Sequence, residues 1–128
     1  MFYQFMLVGI GGFLGAISRF GINLMVQSYT THLFPISTLF VNVLGCTVIG
    51  MLFGYFRNHH LLSMLTMLVG IGFLGSFTTF SAFSFETIQL IKNNELKLAL
   101  LNIGANLILC LIGVVLGGYG SSYFLRAR

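Results

Sequence analysis

Long apolar runs separated by short polar segments dominate the pattern along this chain. The charged residues leave four uncharged tracts, at 1–18, 20–56, 58–85 and 98–125. The second tract is interrupted at 27–37 (QSYTTHLFPIS), where polar residues and the only proline indicate a loop. A membrane-spanning helix needs about 20 mostly apolar residues. The pattern therefore predicts four spans, at about 4–26, 36–56, 62–91 and 98–124.

The composition excludes the soluble classes of protein. Only 6% of the 128 residues are charged, whereas an ordinary soluble domain carries about 25% charged residues. Fourteen phenylalanines exclude a disordered chain. The apolar runs are continuous rather than alternating, which favours helices over an outer-membrane barrel. The first run lacks a basic start and a small-residue cleavage site, so we expect a retained span. We predict an all-α integral membrane protein with one four-span domain over 1–128.

The positive charges are balanced across the predicted membrane. One side carries Arg57, Arg126 and Arg128, and the other carries Lys92 and Lys97, with Arg19 inside the end of the first span. Orientation normally follows an excess of Lys and Arg on the cytoplasmic side, and this chain has no such excess. It can therefore insert in both directions, which permits an antiparallel pair of identical subunits. A single orientation fixed by other determinants is the alternative.

Glycines recur at helical spacing in three of the four spans. The pairs are Gly11 and Gly15, Gly50 and Gly54, and Gly113 and Gly117. Two glycines four residues apart on one helix face let helix backbones approach closely within lipid. These motifs predict a compact bundle and a seam between subunits.

Polar residues inside lipid are costly, so they mark candidate functional positions. Asn42 lies about one turn inside the second span, where its amide offers two donors to an anion or a carbonyl. The alternative role for Asn42 is to join packed helices. In the last span, Asn102, Asn106 and Cys110 follow at i, i+4 and i+8 and form one polar stripe. That stripe either lines a pathway or joins two helices.

The third span contains the unusual segment 72–86 (GFLGSFTTFSAFSFE). Gly75 followed by Thr78 and Thr79 predicts a point where the helix unwinds. Unwound backbone at this depth must be buried or line a cavity, and its freed carbonyls can hold a cation. Phe80 and Phe83 share a helix face, and their electropositive ring edges can stabilise a small anion. Ordinary core packing of these rings is the alternative.

The two cysteines, Cys46 and Cys110, both lie in the middle of a predicted span. A thiol in this position is typical of a small buried apolar residue, and we expect that role rather than a disulfide. No Cys and His cluster in the sequence has the spacing of metal ligands.

Three motifs together identify a family. TLFVN (38–42), GFLGSFTTFSAFSFE (72–86) and GGFLGAISRF (11–20) resemble the Fluc (CrcB) family of bacterial fluoride channels, and the similarity extends over the whole chain in length, span count and motif order. The resemblance implies a passive fluoride-selective channel, not an enzyme, that exports cytoplasmic fluoride across the bacterial inner membrane. It also implies an antiparallel, dual-topology homodimer with two pores, a third helix broken near its middle, and no nucleic-acid partner.

The resemblance also assigns candidate residues. The implied fluoride pathway consists of Asn42, Phe80, Phe83, Ser81, Ser84, Thr79, Thr38 and Asn106. A structural sodium ion at the dimer interface would be held by the backbone carbonyls of Gly75 and Thr78. Arg19 and Glu86 would supply charge, with Arg19 attracting anions into a vestibule; snorkelling of Arg19 to the interface is the alternative. Ala82 and Cys110 depart from the hydroxyl residues of the family pattern, which weakens the implied hydroxyl track.

Two other functional classes fit less well. A four-span, proton-coupled exporter of the small multidrug type needs an acidic residue deep in its first span. This first span has Arg19 and no Asp or Glu, and Glu86 lies near the end of the third span. A scaffold subunit of a larger complex would explain the glycine motifs but not the hydroxyl and phenylalanine segment.

Overall fold

The computed structural model describes residues 1–29, 33–56 and 62–126, with the side chains of all except 56, 62, 63 and 124–126. Two of the arginines in the charge balance, Arg57 and Arg128, therefore lie outside the described residues. Within them the chain is helical: α1 Phe2–Tyr29, α2 Ile36–Phe56, α3 Leu62–Leu65, a π-helical segment Thr66–Leu74, α4 Gly75–Phe77, α5 Phe80–Lys92 and α6 Leu96–Arg126.

Within the described parts of the chain, four stretches are long and apolar enough to cross a membrane, which confirms the predicted four spans. They are Phe2–Tyr29, Ile36–Tyr55, Thr66–Lys92 and Leu96–Tyr123. Large apolar side chains are exposed along these spans, as Phe13 and Leu111 illustrate at 66% and 68% exposure. Such an apolar surface is stable in contact with lipid tails rather than with water.

The third span is broken at Thr78 and Thr79, as predicted. Helix α4 ends at Phe77, Thr78 (ψ 156°) and Thr79 (φ −150°, ψ 112°) are extended, and α5 begins at Phe80. Gly75 itself remains helical (φ −62°, ψ −30°), so the break lies at the threonine pair rather than at the glycine. Branching at Cβ favours extended backbone, and Thr79 Oγ1 also caps α5 by accepting the Ala82 N–H at 3.1 Å.

The turn between the third and fourth spans has a specific backbone geometry. Asn94 adopts a left-handed conformation (φ 63°), which asparagine tolerates better than most residues. The Asn94 N–H donates to the Ile91 carbonyl and the Glu95 N–H donates to the Leu90 carbonyl. This Schellman pattern satisfies the last carbonyls of α5, so that α6 begins at Leu96 after a very short connection.

Helices α2 and α6 run in parallel at very close range. Asn42 bonds Asn106, which lies 64 positions later in the chain. Gly50 and Gly54, one and two turns beyond Cys46, contact α6 at the same offset. A Cβ on Gly50 would overlap the Val114 carbonyl oxygen, and one on Gly117 would overlap the Thr47 carbonyl oxygen. Only a residue without a side chain allows the two backbones to approach so closely.

Helix α1 packs against the third span in a similar way. A Cβ on Gly11 would overlap the Leu68 carbonyl oxygen, and one on Gly15 would overlap the Phe73 carbonyl oxygen. All three glycine motifs therefore make contacts within one chain. The expectation that they form a seam between subunits needs correction, because their close-packing faces are already covered by the chain's own helices.

The interior of the bundle is unusually polar. Among the described residues, the buried polar side chains equal the buried apolar ones in number. The buried polar residues are Thr38, Asn42, Thr79, Thr87, Asn102 and Asn106, and the buried apolar residues are Val41, Leu74, Phe77, Phe83, Leu90 and Ala99. In lipid there is no water to satisfy polar groups, so these side chains must bond one another.

The glycine contact between α2 and α6 predicts a position-specific loss of stability. Gly117→Ala should lower the free energy of unfolding by about 1–3 kcal/mol, because the new methyl forces two backbones apart. Gly120→Ala, one turn further along α6, is the matched control: no described atom lies within 4 Å of its added Cβ. Thermal unfolding of both variants in detergent measures the difference, and equal melting temperatures would contradict the close-packing role.

Candidate functional site

A cavity of about 290 Å³ lies beside the break in the third span. Its lining residues come from α2, the break, α5 and α6, and they are Asn42, Cys46, Thr78, Thr79, Phe80, Phe83, Asn106, Leu107, Cys110 and Leu111. Five of the eight residues assigned to a fluoride pathway by the resemblance thus lie around one cavity. Amide, hydroxyl and aromatic groups share its wall, and the described lining carries no formal charge.

Asn42 holds the broken backbone together. Its Oδ1 accepts the Thr79 N–H at 2.8 Å, and its Nδ2 donates to the Thr79 carbonyl at 3.3 Å. The side-chain amide thus pairs with both backbone groups of one residue, as a neighbouring strand would. The Thr79 N–H would otherwise be unsatisfied in a medium without water, at a cost of several kcal/mol. The Thr79 carbonyl also accepts the first bond of α5, because Thr79 is the N-cap of that helix.

Both amide donors of Asn42 are engaged within the chain. The second one bonds Asn106 Oδ1 at 3.0 Å. The sequence-based expectation that Asn42 offers free donors to an anion therefore needs a qualification: either donor can reach a ligand only by leaving its present partner. The 3.3 Å bond to the Thr79 carbonyl is the longer of the two and is the easier one to exchange.

The break also releases backbone carbonyls from their helical donors, among them those of Gly75 and Thr78. In a continuous α-helix, the Thr79 N–H would bond the Gly75 carbonyl and the Ala82 N–H would bond the Thr78 carbonyl. Here the Thr79 N–H goes to Asn42 Oδ1, and the Ala82 N–H goes to Thr79 Oγ1. The carbonyls of Gly75 and Thr78 have thereby lost the partners that an intact helix supplies.

A chain of buried hydrogen bonds supports the Asn42 side chain from behind. Asn106 Nδ2 donates to Asn102 Oδ1 at 2.9 Å, Asn102 Nδ2 donates to Thr87 Oγ1 at 2.9 Å, and the Thr87 hydroxyl donates to the Phe83 carbonyl at 2.7 Å. The predicted polar stripe on α6 therefore faces α2 and α5. Because each member fixes its neighbour, the network orients the Asn42 amide.

The two phenylalanines of α5 contact each other at the cavity, which confirms that they share a helix face. Their ring centroids lie 5.3 Å apart with an interplanar angle of 52°. Phe83 is buried, whereas Phe80 is 75% exposed. One ring is therefore fixed by the protein interior, and the other presents most of its surface outside the single chain.

Three hydroxyl candidates lie outside the cavity lining. Ser81 Oγ is 3.1 Å from Thr79 Oγ1, and the Ser84 hydroxyl donates to the Phe80 carbonyl at 2.9 Å. Thr38 is buried and donates to Glu86 Oε1 at 2.7 Å. Ser81 and Ser84 thus lie on α5, and Thr38 lies on α2 where it contacts Glu86 of α5.

The two charged candidates also lie apart from the cavity. Glu86 is partly buried, and its second oxygen, Oε2, has no hydrogen-bond partner among the described residues. Arg19 lies on α1 with intermediate exposure, and α1 continues to Tyr29. At 1.5 Å per residue, Arg19 is roughly 15 Å from that helix end. A position so far from the end differs from the location near the end of the first span that the sequence suggested.

Sequence reasoning missed two parts of the site. Thr87 was not singled out, although it accepts the Asn102 amide. Cys46 was treated as filler, although it lines the cavity beside Cys110. The signal for Cys46 was present: it follows Asn42 by four residues, just as Cys110 follows Asn106, so two matching polar stripes can face each other on parallel helices.

Comparison with protein families places this site in a known context. Residues 6–118 match the family model described as "CrcB-like protein, Camphor Resistance (CrcB)", a range that includes every residue of the cavity. The chain belongs to this family. The resemblance drawn from the three sequence motifs is thereby confirmed.

Individual members of the CrcB family are similar over most of their length. A protein of Campylobacter jejuni named fluoride-specific ion channel FluC is 44% identical over 118 residues, which cover 91% of this chain and 96% of the relative. FluC of Dehalococcoides mccartyi is 42% identical, with 91% and 90% coverage. FluC 1 of Bacillus cereus is 39% identical, with 91% and 83% coverage.

The Asn42 contacts predict a structural loss when its donors are removed. Asn42→Asp keeps an acceptor for the Thr79 N–H, but it removes one of the bonds to the Thr79 carbonyl and leaves Asn106 Oδ1 without its donor. We expect the free energy of unfolding to fall by about 1–3 kcal/mol, measured by thermal unfolding in detergent. Ser84→Ala is the control, since that hydroxyl bonds only a carbonyl of its own helix. An unchanged melting temperature for Asn42→Asp would contradict the clamp.

Proposed function

We propose that this chain forms a passive, fluoride-selective channel that lets cytoplasmic fluoride leave a bacterial cell across its inner membrane. The observation that carries the proposal is the cavity beside the helix break, where two amides, two hydroxyls and a pair of phenylalanines meet. Membership of the CrcB family supports it, because relatives with about 40% identity are named fluoride-specific ion channels.

The chemistry of the cavity suits a small and strongly hydrated anion. A pore must replace the water around its ion with donors at close range. The Asn42 amide supplies such donors when it exchanges the long bond to the Thr79 carbonyl for the ion. The edges of Phe80 and Phe83 add a diffuse positive surface, which binds weakly enough to allow release. Rigid rings also limit the width available to larger halides.

The charge pattern favours passive conduction over coupled export. The first span holds Arg19 and no acid, and the residues that line the cavity are uncharged. A proton-coupled exporter needs a titratable acid at its substrate site. The multidrug-type alternative and the scaffold alternative are therefore less well supported than a channel, which is not an enzyme and needs no nucleic-acid partner.

The proposed assembly is an antiparallel homodimer in the bilayer. Phe80 exposes 75% of its surface although it belongs to the cavity wall, so a second subunit placed against this face would complete the wall. The balanced Lys and Arg pattern permits subunits of opposite orientation. Two equivalent cavities, one per subunit, would give two pores.

A sodium ion at the centre of this dimer fits the backbone at the break. The carbonyls of Gly75 and Thr78 have lost their helical donors to side chains, and Gly75 is exposed on the single chain. Carbonyl oxygens are ligands that hard cations accept. These two residues would hold the ion, and its charge would lower the electrostatic cost of an anion nearby.

Fluoride efflux from proteoliposomes, followed with a fluoride electrode, tests the channel. We expect fast fluoride release that follows the membrane potential, with no chloride release in a matched experiment. Phe80→Ile should slow release by about tenfold or more, which corresponds to a barrier higher by ~1.4 kcal/mol. Phe85→Ile is the control, since Phe85 is similarly exposed at 65% but does not line the cavity. Release that ignored voltage and followed a proton gradient would indicate coupled transport instead.

Dual topology can be tested with a reporter cysteine in the turn between α5 and α6. Asn93→Cys, in a background with both native cysteines replaced by serine, places one exposed thiol at a membrane surface. A membrane-impermeant maleimide added to intact spheroplasts should label about half of the chains if insertion is balanced. Labelling of all chains, or of none, would contradict dual topology.

The sodium proposal predicts stabilisation by Na⁺ in detergent. An ion that binds only the folded dimer raises stability by about 2.7 kcal/mol at 100 times its Kd, so the melting temperature should rise with NaCl and not with N-methylglucamine chloride. Thr79→Val should reduce this rise, because the Ala82 N–H loses the acceptor that keeps it away from the Thr78 carbonyl. Thr47→Val is the control, since that hydroxyl bonds the Val43 carbonyl of its own helix. Equal stabilisation by both salts would contradict the site.

A further inference from the structure

The two cysteines of this chain lie side by side. Cys46 follows Asn42 by one turn of α2, and Cys110 follows Asn106 by one turn of α6, so the parallel register set by the Asn42–Asn106 bond brings the thiols together. Cys110 follows Cys46 by 64 positions, the same offset that separates Asn42 from its partner Asn106. Both cysteines are free, and both line the cavity that contains Asn42 and Phe83.

The position of this pair is held by the packing around it. The Asn42–Asn106 bond lies one turn before the thiols, and the close contact of Gly50 with the Val114 backbone lies one turn after them. The two helix backbones are therefore fixed on both sides, so the two cysteines stay within reach of one ion, and rotation of their side chains can admit it between the sulfurs.

Two facing thiols form a donor set for a particular class of metal. Thiolates are soft ligands and favour soft cations. Among the residues that the structure describes, no group of three or more His, Cys, Asp or Glu lies together, so these residues do not supply the four ligands of a tetrahedral zinc site. A pair of sulfurs instead suits soft d¹⁰ ions that accept two ligands in a line, such as Cu(I), Ag(I) and Hg(II).

We propose that Cys46 and Cys110 together bind one soft, two-coordinate metal ion in the wall of the cavity, and that the bound ion blocks fluoride flow. The block rests on the proposed function; the binding does not. With Hg²⁺, each S–H bond loses its proton to solvent and each sulfur forms one bond to the metal. Two thiolates then neutralise the ion, no electrons are transferred, and the neutral product suits a low-dielectric interior.

The bound ion acts on the pathway in two ways. It occupies space in a cavity of about 290 Å³. It also ties α2 to α6 next to Asn42 and Asn106, so that the Asn42 amide is less free to exchange its partners. Both effects oppose the step in which Asn42 would turn a donor toward the anion.

Fluoride efflux before and after addition of mercuric chloride tests the block. Wild-type flux should fall about tenfold or more and recover with dithiothreitol, which removes the metal. Cys46→Ser, Cys110→Ser and the double variant are each compared with their own metal-free flux. Each should lose most of the block, because a single thiol cannot bridge. Unchanged wild-type flux, or equal block in the double variant, would overturn the proposal.

Metal stoichiometry provides a second readout that needs no flux. The chain has only two cysteines, so native mass spectrometry of the detergent-solubilised protein should find one tightly held Hg per chain and none in the double variant. Two Hg per chain would show that each thiol binds independently, which overturns the bridge. Wild-type vesicles that release no fluoride before metal is added would contradict the proposed channel, while the stoichiometry would still decide the metal site.

Discussion

The pairing of the Asn42 amide with the backbone of Thr79 is the interaction on which the rest of this structure depends. A transmembrane helix that breaks inside lipid must find new partners for the N–H and C=O groups it releases. Asn42 satisfies both groups of Thr79, and Thr79 Oγ1 then satisfies the Ala82 N–H. These hydrogen bonds allow the third span to change direction, and they leave the Gly75 and Thr78 carbonyls without their helical donors.

A polar interior and an apolar exterior follow from this requirement. Asn106, Asn102 and Thr87 form a continuous set of bonds behind Asn42. The glycine contacts between α2 and α6 bring the helices close enough for these short side chains to reach one another. Packing and hydrogen bonding therefore depend on each other: without the glycines, the asparagines could not meet across the two helices.

The candidate site combines a fixed part with an open part. Phe83 and Asn42 are buried within one chain, whereas Phe80 is largely exposed. The hydroxyls of Ser81 and Ser84 on α5 and of Thr38 on α2 lie outside the cavity lining, and Thr38 bonds Glu86. The amide and aromatic groups are thus gathered at the cavity, whereas these hydroxyls and the Glu86 carboxylate lie apart from it.

The sequence by itself determined the class of protein, the four spans, the break near Thr78 and Thr79, and the family, because uncharged length, β-branched pairs and long motifs are properties of contiguous residues. The shared face of Phe80 and Phe83 followed from helical spacing alone.

Only the tertiary structure showed that both Asn42 donors are already used, that the glycine motifs pack within one chain, and that Cys46 meets Cys110. Each of these depends on the register between α2 and α6 or between α1 and the third span. Register is set by packing between residues far apart in the chain, which no local pattern specifies.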